Sequence, residues 1–210
     1  MWSYWLPILI TCLVGYYLGN INGAVSVSAF LKDDVRKHGS GNAGLTNFIR
    51  NFGRDSAFFV LLIDISKAVL ACLVGRYLLA PYGYGSEGTM FGAIAVSLGH
   101  DFPALLGFHG GKGILCGITV AFMLDWRCAC IILATFLVFF LATKYVSLGS
   151  VMGALVFCIT FTVYHHHEPV IAVGGVFVGA LAIFMHRSNI VRLVKGTERK
   201  TSLFGKGNKE

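Results

Sequence analysis

Residues 39–52 read GSGNAGLTNFIRNF, small and amide side chains with a guanidinium near the end. Gly39, Gly41 and Gly44 let backbone N–H groups approach a ligand closely. Ser40, Asn42, Thr46 and Asn47 add neutral hydrogen-bonding groups. Arg50 adds a planar, permanently charged fork suited to phosphate or carboxylate. These are the parts of an anion site. They are also the parts of a surface turn running into a capped helix, and the segment by itself does not choose between the two.

Two more stretches repeat the formula. FHGGKGIL at 108–115 places Gly110, Gly111 and Lys112 just before an apolar run. It fails as a nucleotide-binding P-loop: Gly113 stands where the magnesium-binding hydroxyl belongs, and Gly107 to Gly111 is one residue short. What remains is a set of backbone donors at a helix start beside an ammonium, which favours an anion. HRSNIVRLVKGTE at 186–198 sets His186 and Asn189, then Arg192 or Lys195, at helical spacings that share one face. His186 titrates near neutrality and is able to donate to a phosphate or act as a base. For Arg199, Lys200, Lys206 and Lys209 a basic tail on anionic lipid is the preferred reading. Asn189 has no part in it.

The elements that must position these residues are membrane helices. Hydrophobic residues make up 56% of the 210, charged residues 13%, and the mean hydropathy is +0.72, which excludes a soluble domain. Apolar runs near 4–28, 56–79, 88–107, 113–125, 127–143, 147–164 and 169–186 are candidate spans. The 113–125 run is short. The first lacks a basic flank and a cleavage site, so a retained helix is expected, not a removed signal. Seventeen Lys and Arg against ten Asp and Glu concentrate after the first span, between the third and fourth, between the fifth and sixth, and after the last. The positive-inside rule then puts the N-terminus outside and the C-terminus in the cytoplasm, a pattern that seven spans satisfy and six do not. The expectation is an all-α bundle of about seven transmembrane helices, one polytopic domain over 1–210. Loops 38–54, 107–113, 144–150 and 186–198 face the cytoplasm, followed by a basic tail 199–210. That four polar loops share one face is itself a signal, because mere linkers would fall on both.

Other groups have plainer readings. Asp64 and Lys67 lie one turn apart inside the second span, where an unpaired charge costs roughly 2.5–3.5 kcal/mol; a structural ion pair is at least as good an account as catalysis. His165, His166 and His167 point different ways on a helix and lie on the opposite face, so a metal site there is discounted. The six cysteines show no Cys-x-x-Cys pair or zinc spacing and read as small hydrophobes. GYYLG at 15–19, GSVMG at 149–153 and GVFVG at 175–179 have the small-residue spacing of tightly packed membrane helices.

In combination, and in this order, GSGNAGLTNFIR, GHDFPALLGFHGGKG and HRSNIVRLVKGTE resemble the three signature motifs of the bacterial acyl-phosphate-dependent glycerol-3-phosphate acyltransferases, the PlsY family. DISKA and KYVSLGS match shorter patterns, and the likeness covers nearly the whole chain. The resemblance implies a seven-helix bacterial inner-membrane protein that moves an acyl group from acyl phosphate to the 1-hydroxyl of glycerol 3-phosphate, giving lysophosphatidic acid and phosphate, the first step of phospholipid synthesis. It carries over His186, Asn189, Lys112 and Arg50 as catalytic. Ser40, Gly41, Asn42, Thr46, Asn47, Gly110 and Gly111 follow as phosphate-binding, with Ser147 and Ser150 as weaker transfers. Asp64 and Lys67 are placed as support. No metal or cofactor is implied, acyl phosphate being a co-substrate. The partners expected are the two substrates and membrane lipid, with no nucleic acid and a monomeric chain. Leu45, Ala68 and NING at 20–23 depart from the usual motifs without removing a charged or donor residue.

The His-x-x-x-x-Asp arrangement of soluble acyltransferases is missing: His38, His100, His109 and His186 are followed five positions on by Ala43, Leu105, Ile114 and Val191. Acyl phosphate is already activated, so a substrate phosphate can take the hydroxyl proton while the protein positions and stabilises charge. His186 as a base is the competing mechanism. The competing function is a transporter of small anions or phosphate esters, whose broken helices use the same chemistry. It would need symmetric polar features at mid-membrane and some internal repeat, whereas the polar loops all share one face and no inverted repeat is seen in the sequence.

Overall fold

The computed structural model describes residues 4–201. Lys206 and Lys209 of the expected tail lie outside them. Every regular element among these residues is helical: α1 (Trp5–Asn20), α2 (Gly23–Phe30), α3 (Leu45–Phe52), α4 (Ala57–Leu79), α5 (Gly85–Asp101), α6 (Ile114–Leu124), α7 (Trp126–Thr143), α8 (Val146–Tyr164), α9 (Pro169–Met185) and α10 (Arg187–Val194). This is the form a chain takes when the solvent offers no hydrogen bonds. Leu9, Leu13, Phe58, Phe59, Leu62, Val138, Leu141 and Val173 turn outward, an apolar surface that suits lipid and would be a liability in water.

Four helices, α4, α5, α7 and α8, are long and apolar enough to cross a membrane as single rods. The expected span 4–28 is instead two helices, α1 and α2, bent by 42° at Ile21–Asn22. Buried polar groups satisfy the break. Asn22 caps α2 by accepting from Val25 N at 3.0 Å. Lys67 Nζ donates to the Gly19 and Ile21 carbonyls at 3.2 and 2.7 Å, and Asp64 Oδ1 accepts from Gly23 N at 3.1 Å. α9 likewise bends into α10 by 55° at His186. The short run at 113–125 is the 11-residue α6, about 16 Å long against a hydrocarbon core of about 30 Å. Four to six spans therefore follow from length and composition alone.

α5 packs against both α1 and α4, α8 against both α7 and α9, and α6 touches α4, α5 and α7, joining the two groups. The three glycine pairs are packing surfaces within this bundle. Gly15 and Gly19 meet α5 near Ala95 and Gly99, Gly149 and Gly153 meet Phe136 and Ile132 of α7, and Gly175 and Gly179 meet Phe161 and Cys158 of α8. The α4–α5 contact is closer still. A Cβ on Gly75 would overlap the Gly88 carbonyl, so the two backbones touch without side chains between them. The six cysteines are all free thiols.

Candidate active site: a cavity where four loops meet

One cavity of about 530 Å³ is lined by residues from all four polar loops. Ser40, Asn42, Thr46, Asn47 and Arg50 come from the first, Lys112 from the second, Ser147 and Ser150 from the third, and His186 and Asn189 from the fourth. An apolar arm continues among α6, α7, α8 and α9, walled by Ile118, Ile132, Phe136, Phe157 and Val178. A polar mouth and a greasy arm in one space suit a ligand with a charged head and a hydrocarbon tail.

The first loop is held from below. Phe48 of α3 is buried and stacked on Phe52 at 4.9 Å, in a cluster with Ala24, Val27, Val35, Ala57 and Val60. Asn47 is the loop's internal tie. Its Nδ2 donates to the carbonyls of Val35, His38 and Asn42 at 3.1, 3.0 and 3.1 Å, and its Oδ1 accepts from Ser40 N at 3.0 Å. An amide expected to face phosphate thus spends its groups on shaping the turn that presents Ser40 and Asn42. Gly41, Gly110 and Gly111 also depart from expectation, since none lines the cavity. Gly41 N donates to His38 O at 2.9 Å and Gly111 N to His100 O at 3.0 Å, so these two donors serve turns rather than a ligand. Gly110 and Gly111 are small because the end of α5 lies directly beneath them: a Cβ on either would overlap the His100 carbonyl or ring.

The cationic wall is a linked chain. Lys112 Nζ donates to Asn189 Oδ1, Asn189 Nδ2 donates to Glu198 Oε1 at 2.7 Å, and Arg192 Nε donates to Glu198 Oε2 at 2.6 Å. Burial, with Arg192 adding repulsion, brings the Lys112 ammonium down to about 8. Burial pushes Glu198 up, but its hydrogen bonds from Asn189 and Arg192 outweigh that and hold the carboxyl below its ordinary value. Arg50 closes the opposite side, donating to Thr201 Oγ1 at 2.6 Å. Arg50, Lys112, Arg192 and Arg199 gather around Glu198, while Asp64, the other lining carboxylate, is paired with Lys67; the mouth is left electropositive. His186 Nδ1 lies 2.8 Å from the Ala182 carbonyl, which can only accept; Nδ1 therefore carries the proton and Nε2 offers its lone pair. Ser150 donates its hydroxyl to Val146 O at 2.9 Å, leaving only its lone pairs for a ligand.

Sequence reasoning passed over His100, Thr197, Glu198 and Arg199 as site residues, although all four line the cavity. Glu198 and His100 stood inside the quoted motifs, so the signal was present. Within the tail assigned to lipid, the described residues 199–201 turn back instead: Thr201 N donates to Lys144 O at 2.9 Å, and the Lys200 ammonium sits over the Tyr145 ring.

Asp64 and Lys67 form a buried ion pair at 2.8 Å. Asp64, His100 and Cys116 bring metal-type ligand atoms within 4.8 Å of one another, but Lys67 Nζ stands 2.8 Å from both Asp64 and His100 and already fills the cation's role. Far along the chain, Asp125, Cys128 and His165 form a second such group. There Arg127 already pairs with Asp125 at 2.7 Å, and His165 bridges Asp125 and Glu168 at 3.2 and 3.3 Å. His166 and His167 are exposed.

The family profile described as "Glycerol-3-phosphate acyltransferase" matches residues 9–196. The chain belongs to the PlsY family of glycerol-3-phosphate acyltransferases. It is 38% identical over 193 residues to a glycerol-3-phosphate acyltransferase of Thermoanaerobacter pseudethanolicus, covering 91% of this chain and 94% of that one. It is 36% identical over 197 residues to that of Finegoldia magna, covering 93% and 97%. The crystal structure of PlsY (YgiH), an integral membrane glycerol 3-phosphate acyltransferase, in its glycerol 3-phosphate form superposes with a TM-score of 0.84 at 29% identity, over 94% of this chain and 99% of that one. Its lysophosphatidic acid form gives 0.80 at 30% identity, over 93% and 95%. With the enzyme class established, the four-loop cavity is the candidate site in this acyltransferase.

Proposed function

We propose that this glycerol-3-phosphate acyltransferase uses acyl phosphate as donor and acylates the 1-hydroxyl of glycerol 3-phosphate in the four-loop cavity. The observation that carries the reading is the junction of an electropositive mouth with an apolar arm in one space. Two phosphate-bearing substrates meet at the mouth, held by Arg50, Lys112 and Arg192 with the Ser40–Asn42 turn, while the acyl chain lies along Phe136 and Phe157. The hydroxyl oxygen attacks the acyl carbon, the bond from that carbon to the phosphate oxygen breaks, and the hydroxyl proton ends on the departing phosphate. His186 receives the hydroxyl's hydrogen bond at Nε2 and aims it. Its Nδ1 rests on a neutral carbonyl, with no carboxylate bonded there to stabilise an imidazolium. Proton transfer to substrate phosphate is therefore the favoured path, and Lys112 with Asn189 stabilises charge on the leaving group.

The chain would cross the bacterial cytoplasmic membrane seven times, α6 completing a span together with the recessed loop 107–113. The N-terminus would lie outside, and the cavity mouth would face the cytoplasm, where glycerol 3-phosphate is available. A monomer supplies every wall of the cavity. The test mixes purified protein with glycerol 3-phosphate and palmitoyl phosphate and follows phosphate release and lysophosphatidic acid together, beside Lys112→Ala. Equal yields that vanish in the variant are expected. Phosphate without lipid would replace the reading with hydrolysis, and neither product would redirect attention to transport.

A further inference from the structure

Beneath the Lys112 loop lies a buried polar column that the reaction as described does not use. Its base is Lys67. Besides Asp64 and two carbonyls at the α1–α2 break, its ammonium contacts His100 Nδ1 at 2.8 Å. An ammonium only donates, so His100 Nδ1 accepts and the imidazole is fixed as the neutral Nε2–H form. The ring is 95% buried and has one orientation available to it. On its far edge lies Gly111, where a Cβ would overlap Nε2 and the carbons beside it, and Gly111 N donates back to the His100 carbonyl at 3.0 Å. Gly110 lies over the carbonyls of His100 and Asp101. Lys112 follows directly.

We propose that His100 is a positioning residue for Lys112: its imidazole, locked by Lys67, is the seat on which the Gly110–Gly111 turn rests, and it sets the depth of the ammonium in the cavity. The proposal rests on the reading of Lys112 as a substrate-phosphate ligand, although its structural content can be tested without activity. The two glycines then have a mechanical purpose. Gly111 has an ordinary backbone conformation that alanine can adopt, so it is small for the sake of the ring below it.

Two readouts test this. The first is the pH dependence of Lys112 acetylation by acetic anhydride, followed by peptide mass spectrometry, which needs no turnover. The groups facing Lys112 are Arg50 from α3, His186 at the α9–α10 bend, Arg187, Asn189 and Arg192 from α10, and Glu198 beyond it; all are unchanged in every variant. With His100→Ala the turn sinks, the ammonium is drawn further from water, and the labelling midpoint should fall below about 8. His100→Gln, able to accept from Lys67 and fill most of the space, should keep it near the wild type. The second readout is a cycle of Gly111→Ala, His100→Ala and the double variant, measured as kcat/KM for glycerol 3-phosphate. Each single change should cost about 10- to 100-fold, and the double should be no worse than His100→Ala alone, since the added methyl then has room. Three outcomes would overturn the proposal. One is an unmoved labelling midpoint in folded His100→Ala. Another is independent, multiplying losses in the cycle. The third is a fall in melting temperature with midpoint and kcat/KM intact, which would make His100 structural only. Should the wild type transfer no acyl group, the functional reading fails by itself, and the labelling result still decides this one.

Discussion

Glu198 offers a sharp test of the cationic wall, because a single atom changes its chemistry. Both carboxylate oxygens are in use: Oε1 accepts from Asn189 at 2.7 Å and Oε2 from Arg192 at 2.6 Å. In Glu198→Gln one of those oxygens becomes an NH2 facing a donor. One contact is lost, and Asn189, which accepts from Lys112, loses its fixed orientation. A hydrogen bond to a charged group contributes about 1.5–3 kcal/mol. The Arg192 side chain is 38% exposed, so solvent screening sets the expectation at the lower end, about 1.5 kcal/mol or roughly tenfold in kcat/KM. The pH profile adds a sign. With Lys112 in its proposed role as a cation, activity should be present below about 8 and lost as pH rises through it. The Glu198 charge raises that midpoint, and its removal should move the basic limb to lower pH. Initial rates of phosphate release from pH 6 to pH 9, roughly spanning that midpoint, with a thermal melt to confirm folding, supply both quantities. A kcat/KM within about twofold of wild type, or a basic limb that stays or moves up, would refute the linkage of Glu198, Asn189 and Lys112.

Lys67→Met should destabilise the protein by about 3–5 kcal/mol, because it strands Asp64 as a buried charge and frees two carbonyls at the α1–α2 break; denaturation in detergent measures it, and Asp64→Asn in the same chain should recover part of the loss. His186→Gln should lower kcat yet leave both limbs of the pH profile where they are if, as proposed, the substrate phosphate takes the proton; disappearance of one limb with substrate binding intact would assign the proton to the imidazole instead. In a cysteine-free background, Cys at position 166 should be labelled by an impermeant maleimide from outside intact cells, and Cys at position 144 only after permeabilisation; the reverse pattern would invert the proposed topology.

Composition determined that this chain is membrane-bound, and continuous apolar runs of about 20 residues determined that it crosses as helices, since each such run closes its own backbone pairing in lipid. Charge placement and three ordered motifs went further and named the loops from which the cavity is built. Residue types are local facts, and anion chemistry has a local composition. What they could not supply was direction. Asn47 and Arg50 lie in one motif, yet tertiary packing turns the first inward to tie its own loop and leaves the second at the mouth. Gly111 and Lys112 are neighbours, and packing makes one a bearing surface and the other a wall of the cavity. The break at Ile21–Asn22 was invisible to hydropathy because the groups that satisfy it, Asp64 and Lys67, come from a different helix. Glu198, adjacent to a tail that reads as lipid-binding, became part of the site only when the chain folded back and met Asn189 and Arg192. Sequence chose the groups; the burial of each, and the partner each was given, came from contacts between residues distant in the chain.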